Sequence, residues 1–139
     1  MVILSVDYGD ARTGIAICDS TEILATPVCV IKQTNKKKLI EAISLLAKER
    51  EAELIVVGYP KNMDSSLGER AEKTLAFAEK LKRVSGLTVE LWDERLTTAV
   101  AQKNLNAAAV KSDKKKEIID SAAAVIILQD FIDYRRMNK

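Results

Sequence analysis

The chain has 139 residues, of which 47% are hydrophobic and 30% charged, and its formal net charge is only +2. This balance fits a globular protein rather than a disordered one, and the length predicts one domain spanning residues 1–139. The sequence contains no histidine, which excludes Ser-His and Cys-His nucleophile pairs and the commonest general base. No apolar run approaches the roughly 20 residues of a membrane span, and the opening residues lack the basic region of a signal peptide. We therefore expect a cytoplasmic protein.

The two cysteines, Cys18 and Cys29, each lie in an apolar, strand-like stretch. They are too few for the disulfide scaffold of a secreted protein. Neither belongs to a CxxC pattern or a Cys/His cluster, which argues against a structural zinc site. We therefore expect two small, buried hydrophobic side chains.

The first part of the chain has the pattern of three strands. Val2–Asp7 is an apolar run that ends in a charge and is followed by the turn residues Tyr8–Asp10. Gly14–Cys18 and Ile23–Ile31 are further stretches rich in Ile and Val. Because the connections between them are short, the three strands should form an antiparallel meander.

Helical spacing alternates with short apolar runs in the rest of the chain. The predicted elements are a helix over Lys36–Glu51, a strand over Leu54–Val57, a helix over Leu67–Val84 stopped by Gly86, a strand over Leu87–Trp92, a short helix over Thr98–Asn106, a polar connector over Lys111–Lys116 and a helix over Lys116–Arg135. This order predicts an α/β fold, in which parallel β-α-β-α-β-α units extend the meander into a mixed sheet covered by helices. Functional groups in such sheets collect near the carboxyl ends of the parallel strands.

Acidic residues occur at three positions where functional side chains are expected in such a fold. Asp7 closes the first strand, Asp93 and Glu94 follow the last, and Asp120 interrupts the apolar stripe of the final helix. Each has a structural alternative, since Asp7 could cap a turn, Asp93 or Glu94 could pair with Arg95, and Asp120 could favour a helix N-terminus. Together they suggest a cation site, because carboxylates held close together repel one another unless a cation binds them. Oxygen ligands without His or Cys suit Mg²⁺ or Mn²⁺, and two such ions about 4 Å apart can cleave a phosphodiester without a histidine.

Basic and aromatic residues near these acids suggest a nucleic-acid partner. Arg12 and Arg95 lie beside the acids in sequence, where a guanidinium could bind a scissile phosphate or orient a neighbouring carboxylate. Lysine runs occur at Lys36–Lys38 and at Lys114, Lys115 and Lys116, and the second run precedes Asp120. Such runs are often only solvated surface, but they can also follow a nucleic-acid backbone. Tyr8 and Tyr59 could stack on bases, although packing within the protein is the more usual fate of such residues.

Four blocks of the sequence resemble the YqgF/RuvX family in order and spacing. They are Asp7–Gly14, Val57–Pro60 with Asn62–Asp64, Trp92–Thr98, and Asp120–Ala123 with Ile127–Gln129, and they cover nearly the whole chain. The opening D-x-G-x-x-R-x-G pattern alone is weak, but joined to D-E-R-L-T-T and the late D-x-A-A it is specific. One departure is Ser65-Ser66, where many relatives have glycine followed by serine.

The resemblance implies an RNase H-like fold related to the RuvC resolvases. It also implies a divalent-metal site formed by the acid of the first strand, the acid after the later strand and the acid of the final helix. In this chain these are Asp7, Glu94 and Asp120, with Asp93 as the alternate to Glu94. Members of the family are described both as Holliday-junction resolvases and as nucleases that mature the 5′ end of pre-16S ribosomal RNA.

Structured RNA is the expected substrate, with branched DNA as the alternative. A resolvase acting symmetrically on a junction would need a homodimer, whereas a nuclease that trims RNA would not. An actin/Hsp70-type phosphotransferase also opens with an Asp-x-Gly hairpin, but it needs two domains, which 139 residues cannot supply. A catalytically idle nucleic-acid-binding module remains a third interpretation of the same residues.

Overall fold

The computed structural model describes residues 1–59, 68–93 and 112–138, and in the last range it describes side chains from residue 122 onward. The strands are β1 (Ile3–Asp7), β2 (Arg12–Cys18), β3 (Thr26–Lys32), β4 (Leu54–Tyr59) and β5 (Thr88–Asp93), and the helices are α1 (Lys36–Glu49), α2 (Glu69–Ser85) and α3 (Ser112–Met137). The strands form one sheet in the order β3-β2-β1-β4-β5.

The sheet combines antiparallel and parallel pairs, as the sequence predicted. β2 pairs antiparallel with both β1 and β3, which gives the meander. β4 is parallel to β1 and to β5. The parallel pairs follow from the helices between their strands, because a crossover through a helix returns the chain in its original direction.

Each face of the sheet packs against its own helices. One core cluster contains Leu4 and Val6 of β1 together with residues of α1 and α2. The other contains Ile3 of β1 together with residues of α3. Because successive side chains of a strand point to opposite faces, β1 contributes to both layers and is almost wholly buried.

Local signals in the sequence set the helix ends. The Asn35 side chain caps α1 by accepting a hydrogen bond from the Lys38 backbone N–H at 3.0 Å. α1 ends two residues before the predicted boundary, since the next turn is closed by Glu51 with a φ of 57°. Gly86 terminates α2 in the left-handed conformation, with a φ of 73°, as predicted from its position.

Two predicted boundaries were wrong by three residues or more. β3 begins at Thr26 rather than Ile23, because the Gln129 amide of α3 holds the preceding segment by accepting from Ala25 N–H and donating to the Ile23 carbonyl O. α3 begins at Ser112, so Lys114–Lys116 belong to its first turns and not to a connector. The predicted short helix over Thr98–Asn106 lies outside the described residues.

The cysteines are both free, and they lie on opposite faces of the sheet. Cys18 is buried against the α3 layer, and Cys29 is half-buried at the layer of α1 and α2. Burial raises the pKa of both thiols.

None of the three described helices has the length and apolar composition of a membrane span.

Candidate functional site

Asp7 is the last residue of β1, and it is half-buried. Its partner in the antiparallel pair is Gly14 of β2. Strand alternation puts Asp7 on the same face as Ile3 and Ser5, which is the face covered by α3. Because β1 and β4 are parallel, Asp7 stands at the edge where functional groups collect in this class of sheet.

A buried hydrogen bond fixes the position of α3 on β1. The Ser5 hydroxyl Oγ donates to the Ala124 carbonyl O at 2.7 Å. Farther along α3, Arg135 binds the carboxylate of Glu22 near the amino terminus of the chain. The helix therefore runs antiparallel to β1, and the residues before Ala124 lie toward the strand end that bears Asp7.

Asp120 belongs to α3 and precedes Ala124 by about one turn, a rise of roughly 6 Å along the helix. Asp7 follows Ser5 by two residues, roughly 6.6 Å along the strand. Both backbone positions are therefore displaced from the Ser5–Ala124 hydrogen bond in the same direction and by similar distances. The side chain of Asp120 lies outside the described residues.

Strand register determines which face of the sheet carries Asp93, the last residue of β5. Trp92 pairs with Gly58, and its ring contacts Phe131 of α3 edge to face, with ring centroids 5.7 Å apart. Asp93 pairs with Tyr59 and alternates with Trp92, so it lies on the face opposite α3. Asp93 and Asp7 are thus on different faces of the sheet, which weighs against Asp93 as the partner of Asp7. Glu94 and Arg95 lie outside the described residues.

Glycine flanks Asp7 on both neighbouring strands. Gly14 is its direct partner on β2. On β4, Gly58 follows Val57, which pairs with Val6, so it comes next in the parallel register beside Asp7. Neither neighbour therefore places a side chain beside the Asp7 carboxylate.

Among the described residues, no group of three or more acid or cysteine side chains forms a metal site. Two of the three ligands predicted from the sequence, Glu94 and the Asp120 side chain, lie outside that part of the chain. The donor set nevertheless suits a hard divalent cation, because it consists of carboxylate oxygens only.

Of the five residues predicted to bind phosphate, the structure describes the side chain of Arg12 and only the backbone of the three lysines. Arg12 opens β2 and is half-buried, and alternation with Gly14 puts it on the α3 face, at the same edge as Asp7. Lys114, Lys115 and Lys116 fall in the first turns of α3, and their side chains lie outside the described residues.

A contact between α2 and the hairpin after Asp7 was not foreseen from the sequence. Arg70 Nη1 binds Asp10 Oδ1 at 2.8 Å, Arg70 Nη2 donates to the Tyr8 carbonyl O, and the guanidinium lies 4.9 Å from the centre of the Tyr8 ring. Arg70 thereby holds the residue next to Asp7. One sequence signal could have found it, because a cation in the first turn of a helix opposes the helix dipole and so suggests another role.

Both tyrosines near the edge pack within the protein. Tyr8 is stacked on Phe77 of α2, with ring centroids 4.1 Å apart and an interplanar angle of 3°. Burial raises the pKa of its hydroxyl, an effect that Arg70 partly opposes. Tyr59 is only 7% exposed. These contacts favour the packing interpretation of both residues over base stacking.

Comparison with known protein families gives one match that spans almost the whole chain. The model of the RuvX family, described as Holliday junction resolvase, matches residues 1–134. This agrees with the resemblance that was read from the four sequence blocks.

Curated relatives match at similar length. A protein of Clostridioides difficile (strain 630) is 43% identical over 133 residues, covering 96% of this chain and 94% of the relative. A protein of Halothermothrix orenii is 44% identical over 135 residues, covering 97% of this chain and 96% of the relative. Both are named "Putative pre-16S rRNA nuclease".

Solved structures share the fold at low sequence identity. Thermus thermophilus RuvC in complex with a Holliday junction substrate superposes with a TM-score of 0.64 at 14% identity, covering 100% of this chain and 97% of that one. The fowlpox virus resolvase bound to Holliday junction DNA superposes with a TM-score of 0.61 at 14% identity, covering 97% of this chain and 99% of that one. The fold is therefore RNase H-like, as the resemblance implied.

Proposed function

Because the chain belongs to the RuvX family of Holliday junction resolvases, we propose that it is a metal-dependent endonuclease whose main substrate is the 5′ end of pre-16S ribosomal RNA. The family relationship gives the reaction class, which is hydrolysis of a phosphodiester bond. The RNA substrate is suggested by the names of relatives that are 43% and 44% identical. Such a substrate would place the protein in the cytoplasm.

The proposal rests on one structural observation, the anchoring of α3 against β1. The Ser5–Ala124 hydrogen bond directs the first half of α3 toward the strand end that bears Asp7. Asp7, Glu94 and Asp120 are the proposed ligand set, each from a different element. Asp93 lies on the face of the sheet opposite Asp7, and this supports Glu94 as the third ligand.

These three carboxylates would hold Mg²⁺ or Mn²⁺. Two such ions, held by these residues, would activate a water for attack on the phosphodiester and would stabilise the leaving oxygen. The carboxylates also orient the attacking water, a task that falls to them because the chain has no histidine.

Basic residues beside the acids would position the substrate. Arg12 lies on the face and edge of Asp7, where its guanidinium can bind two oxygens of one phosphate. Arg95 and the lysines Lys114, Lys115 and Lys116 are proposed to contact the backbone farther from the cut.

The decisive experiment is a cleavage assay with matched variants. Wild type should cut a transcript containing the 16S 5′ leader in Mg²⁺ or Mn²⁺, and Asp7→Asn should lower kcat by about 10³-fold or more. Asp19→Asn makes the same charge change at the opposite end of the sheet and should retain full activity. Equal cleavage by wild type and Asp7→Asn would refute the enzyme proposal and leave an idle binding module.

Resolution of DNA junctions is the second candidate, favoured by the description of the matching family. A four-way DNA junction run beside the RNA decides between the two, since cleavage of the junction alone would reverse the proposed preference. Sedimentation adds an independent check, because a symmetric resolvase should be a homodimer at working concentration and a strict monomer would count against it.

A further inference from the structure

A basic groove runs between α1 and α2, on the face of the sheet opposite α3. Its cavity of about 430 Å³ is lined by Lys36, Lys37, Ile40, Glu41, Lys80, Arg83 and Val84. The lysine run at the start of α1 thus meets two cations of α2 that lie more than 40 residues away in sequence. We call these four cations, Lys36, Lys37, Lys80 and Arg83, the basic groove.

The charge of the basic groove is not neutralised within the described part of the chain. None of its four cations forms an ion pair with a described residue, and Glu41 is the single acid among the lining residues. Lys37, Lys80 and Arg83 are exposed. Four like charges around one cleft repel one another and produce a local positive potential, which a polyanion would relieve.

The floor of the groove indicates which part of a polyanion it fits. Buried Ile40 and exposed Val84 supply the apolar surface, and the residues lining this cavity include no aromatic ring on which a base could stack. Recognition would therefore depend on charge and not on base identity.

The basic groove is connected to the proposed catalytic edge by a short basic path. Arg12, on the edge of Asp7, pairs in the sheet with Lys32, the last residue of β3. The next residue is tied to the same hairpin, since Gln33 N–H donates to the Ala11 carbonyl O at 3.1 Å. Arg12 and Lys32 share the α3 face, and the path passes over the end of β3 to the opposite face, where Lys36 follows Lys32 by four residues, a span of at most about 14 Å. Since each strand of a duplex has one phosphate per roughly 3.4 Å of axis, a few phosphates bridge this distance.

We propose that the basic groove binds the phosphate backbone of the substrate on the side flanking the cut, independently of sequence. The inference rests on the proposed function, because it assumes that nucleic acid occupies the Asp7 edge. A substrate held there would leave the site over the end of β3 and continue between α1 and α2. An acidic protein segment is the competing occupant, and the path from Arg12 favours nucleic acid over it.

The test compares two double variants that each remove two positive charges. The probe is a fluorescein-labelled RNA duplex of about 20 base pairs with a single-stranded 5′ extension, measured by anisotropy without added divalent cation so that it stays intact. Lys80→Gln with Arg83→Gln should weaken binding about ten- to thirtyfold at 0.15 M salt and reduce the slope of log Kd against log salt by about 1.5 to 1.8. Cleavage assays should show a raised KM with kcat within about twofold of wild type.

The control is Lys82→Gln with Arg50→Gln, which removes the same charge at exposed positions outside the groove whose side chains form no ion pair with a described residue. It should change Kd by less than about twofold. If wild type binds and cleaves RNA while the groove variant matches it in Kd and salt slope, the basic groove is not a backbone site and the proposed function stands. If wild type neither binds nor cleaves, the proposed function itself fails. Loss of poly-glutamate binding with unchanged RNA affinity would overturn the inference in favour of an acidic partner.

Discussion

The carboxylates at the two ends of the sheet have different surroundings. At the end where β1 begins, Glu22 is only 5% exposed and accepts from the Met1 amino group at 2.8 Å and from Arg135 Nε at 2.7 Å. These partners hold the pKa of Glu22 at about 2, and the Arg135 hydrogen bond is the largest cause. The carboxylate is thus enclosed by cations of its own chain.

At the end where β1 finishes, the acids occupy strand termini. Asp7 is half-buried, and glycine stands at the neighbouring position on both adjoining strands. The nearby arginine contact of α2 is made with Asp10 and with the Tyr8 backbone. Arg70 therefore fixes the hairpin after Asp7, and the two glycines add no side chain beside the carboxylate.

Under the proposed function, the difference is between a carboxylate that stabilises the fold and one that binds a cation. A buried ion pair needs its partners from the same chain, since an uncompensated buried charge is strongly destabilising. A ligand for an external cation needs a rigid backbone and open space. We expect substitutions at the Glu22 end to change stability and those at the Asp7 end to change activity.

After Asp7→Asn, the largest expected effect is at Glu94, which follows Asp93, the last residue of β5. Glu94→Gln should lower kcat by about 10²- to 10³-fold, because it removes a proposed metal ligand. Asp93→Asn, the neighbouring change on the opposite face, should lower it by less than about tenfold. Steady-state kinetics in Mg²⁺ measure both. The reverse order of effects would make Asp93 the ligand.

The hairpin after Asp7 should be the most sensitive backbone position. A Cβ added at Gly9 would lie 2.0 Å from the Arg12 carbonyl O, so Gly9→Ala forces the turn to shift. We expect a loss of about 3 kcal/mol in the free energy of unfolding and a fall in activity, measured by urea denaturation and cleavage.

Gly86→Ala, at the other end of the sheet, is the matched control for this change. Its φ is 73°, but an added Cβ meets nothing within 4 Å. The cost should be about 1 kcal/mol without an effect on kcat. Equal losses in the free energy of unfolding from Gly9→Ala and Gly86→Ala would show that the close contact at Gly9 adds no cost.

The ion pair at the amino end should contribute to stability in a pH-dependent way. Glu22→Gln should reduce the free energy of unfolding by about 2 kcal/mol at pH 7 and leave kcat unchanged. The folded-state pKa of Glu22 lies below its ordinary value of 4.5, at about 2. Its contribution is therefore complete above about pH 4.5 and is lost as the pH falls toward 2.

Urea denaturation of wild type and Glu22→Gln between pH 7 and pH 3 measures this dependence. The difference between the two proteins should be constant near neutrality and shrink below about pH 4.5. A difference that does not change with pH would mean that Glu22 acts through packing and not through its charge.

Apart from the Gly86→Ala control, the smallest expected effect is at the contact that anchors α3. Ser5→Ala removes the donor to the Ala124 carbonyl O and should cost about 1.5 kcal/mol, with a moderate rise in KM for metal if α3 shifts. Ser44→Ala is a suitable control, because the buried Ser44 Oγ has no hydrogen-bond partner among the described residues. A metal KM unchanged in Ser5→Ala would indicate that the rest of the α3 interface suffices to position Asp120.

Much of the fold could be predicted because it is determined by local patterns. The apolar run of β1, the spacing of α1 and the left-handed stop at Gly86 are each contained in a few consecutive residues. The start of β3 could not be predicted, because a glutamine of α3 more than 100 residues later holds the segment before Thr26. The polar run that looked like a connector became the first turns of α3, since a helix long enough to cover the sheet begins there.

The acids at the strand ends were determined by the sequence itself, because a charge that closes a buried strand is visible from periodicity alone. Tertiary structure decided what surrounds them. Register put Asp93 and Asp7 on opposite faces, and packing brought Arg70 to the Tyr8 backbone and Arg135 to Glu22. Local pattern specifies which face a residue occupies within its own element. How the faces of distant elements meet depends on strand register and core packing, which only the assembled sheet and helices define.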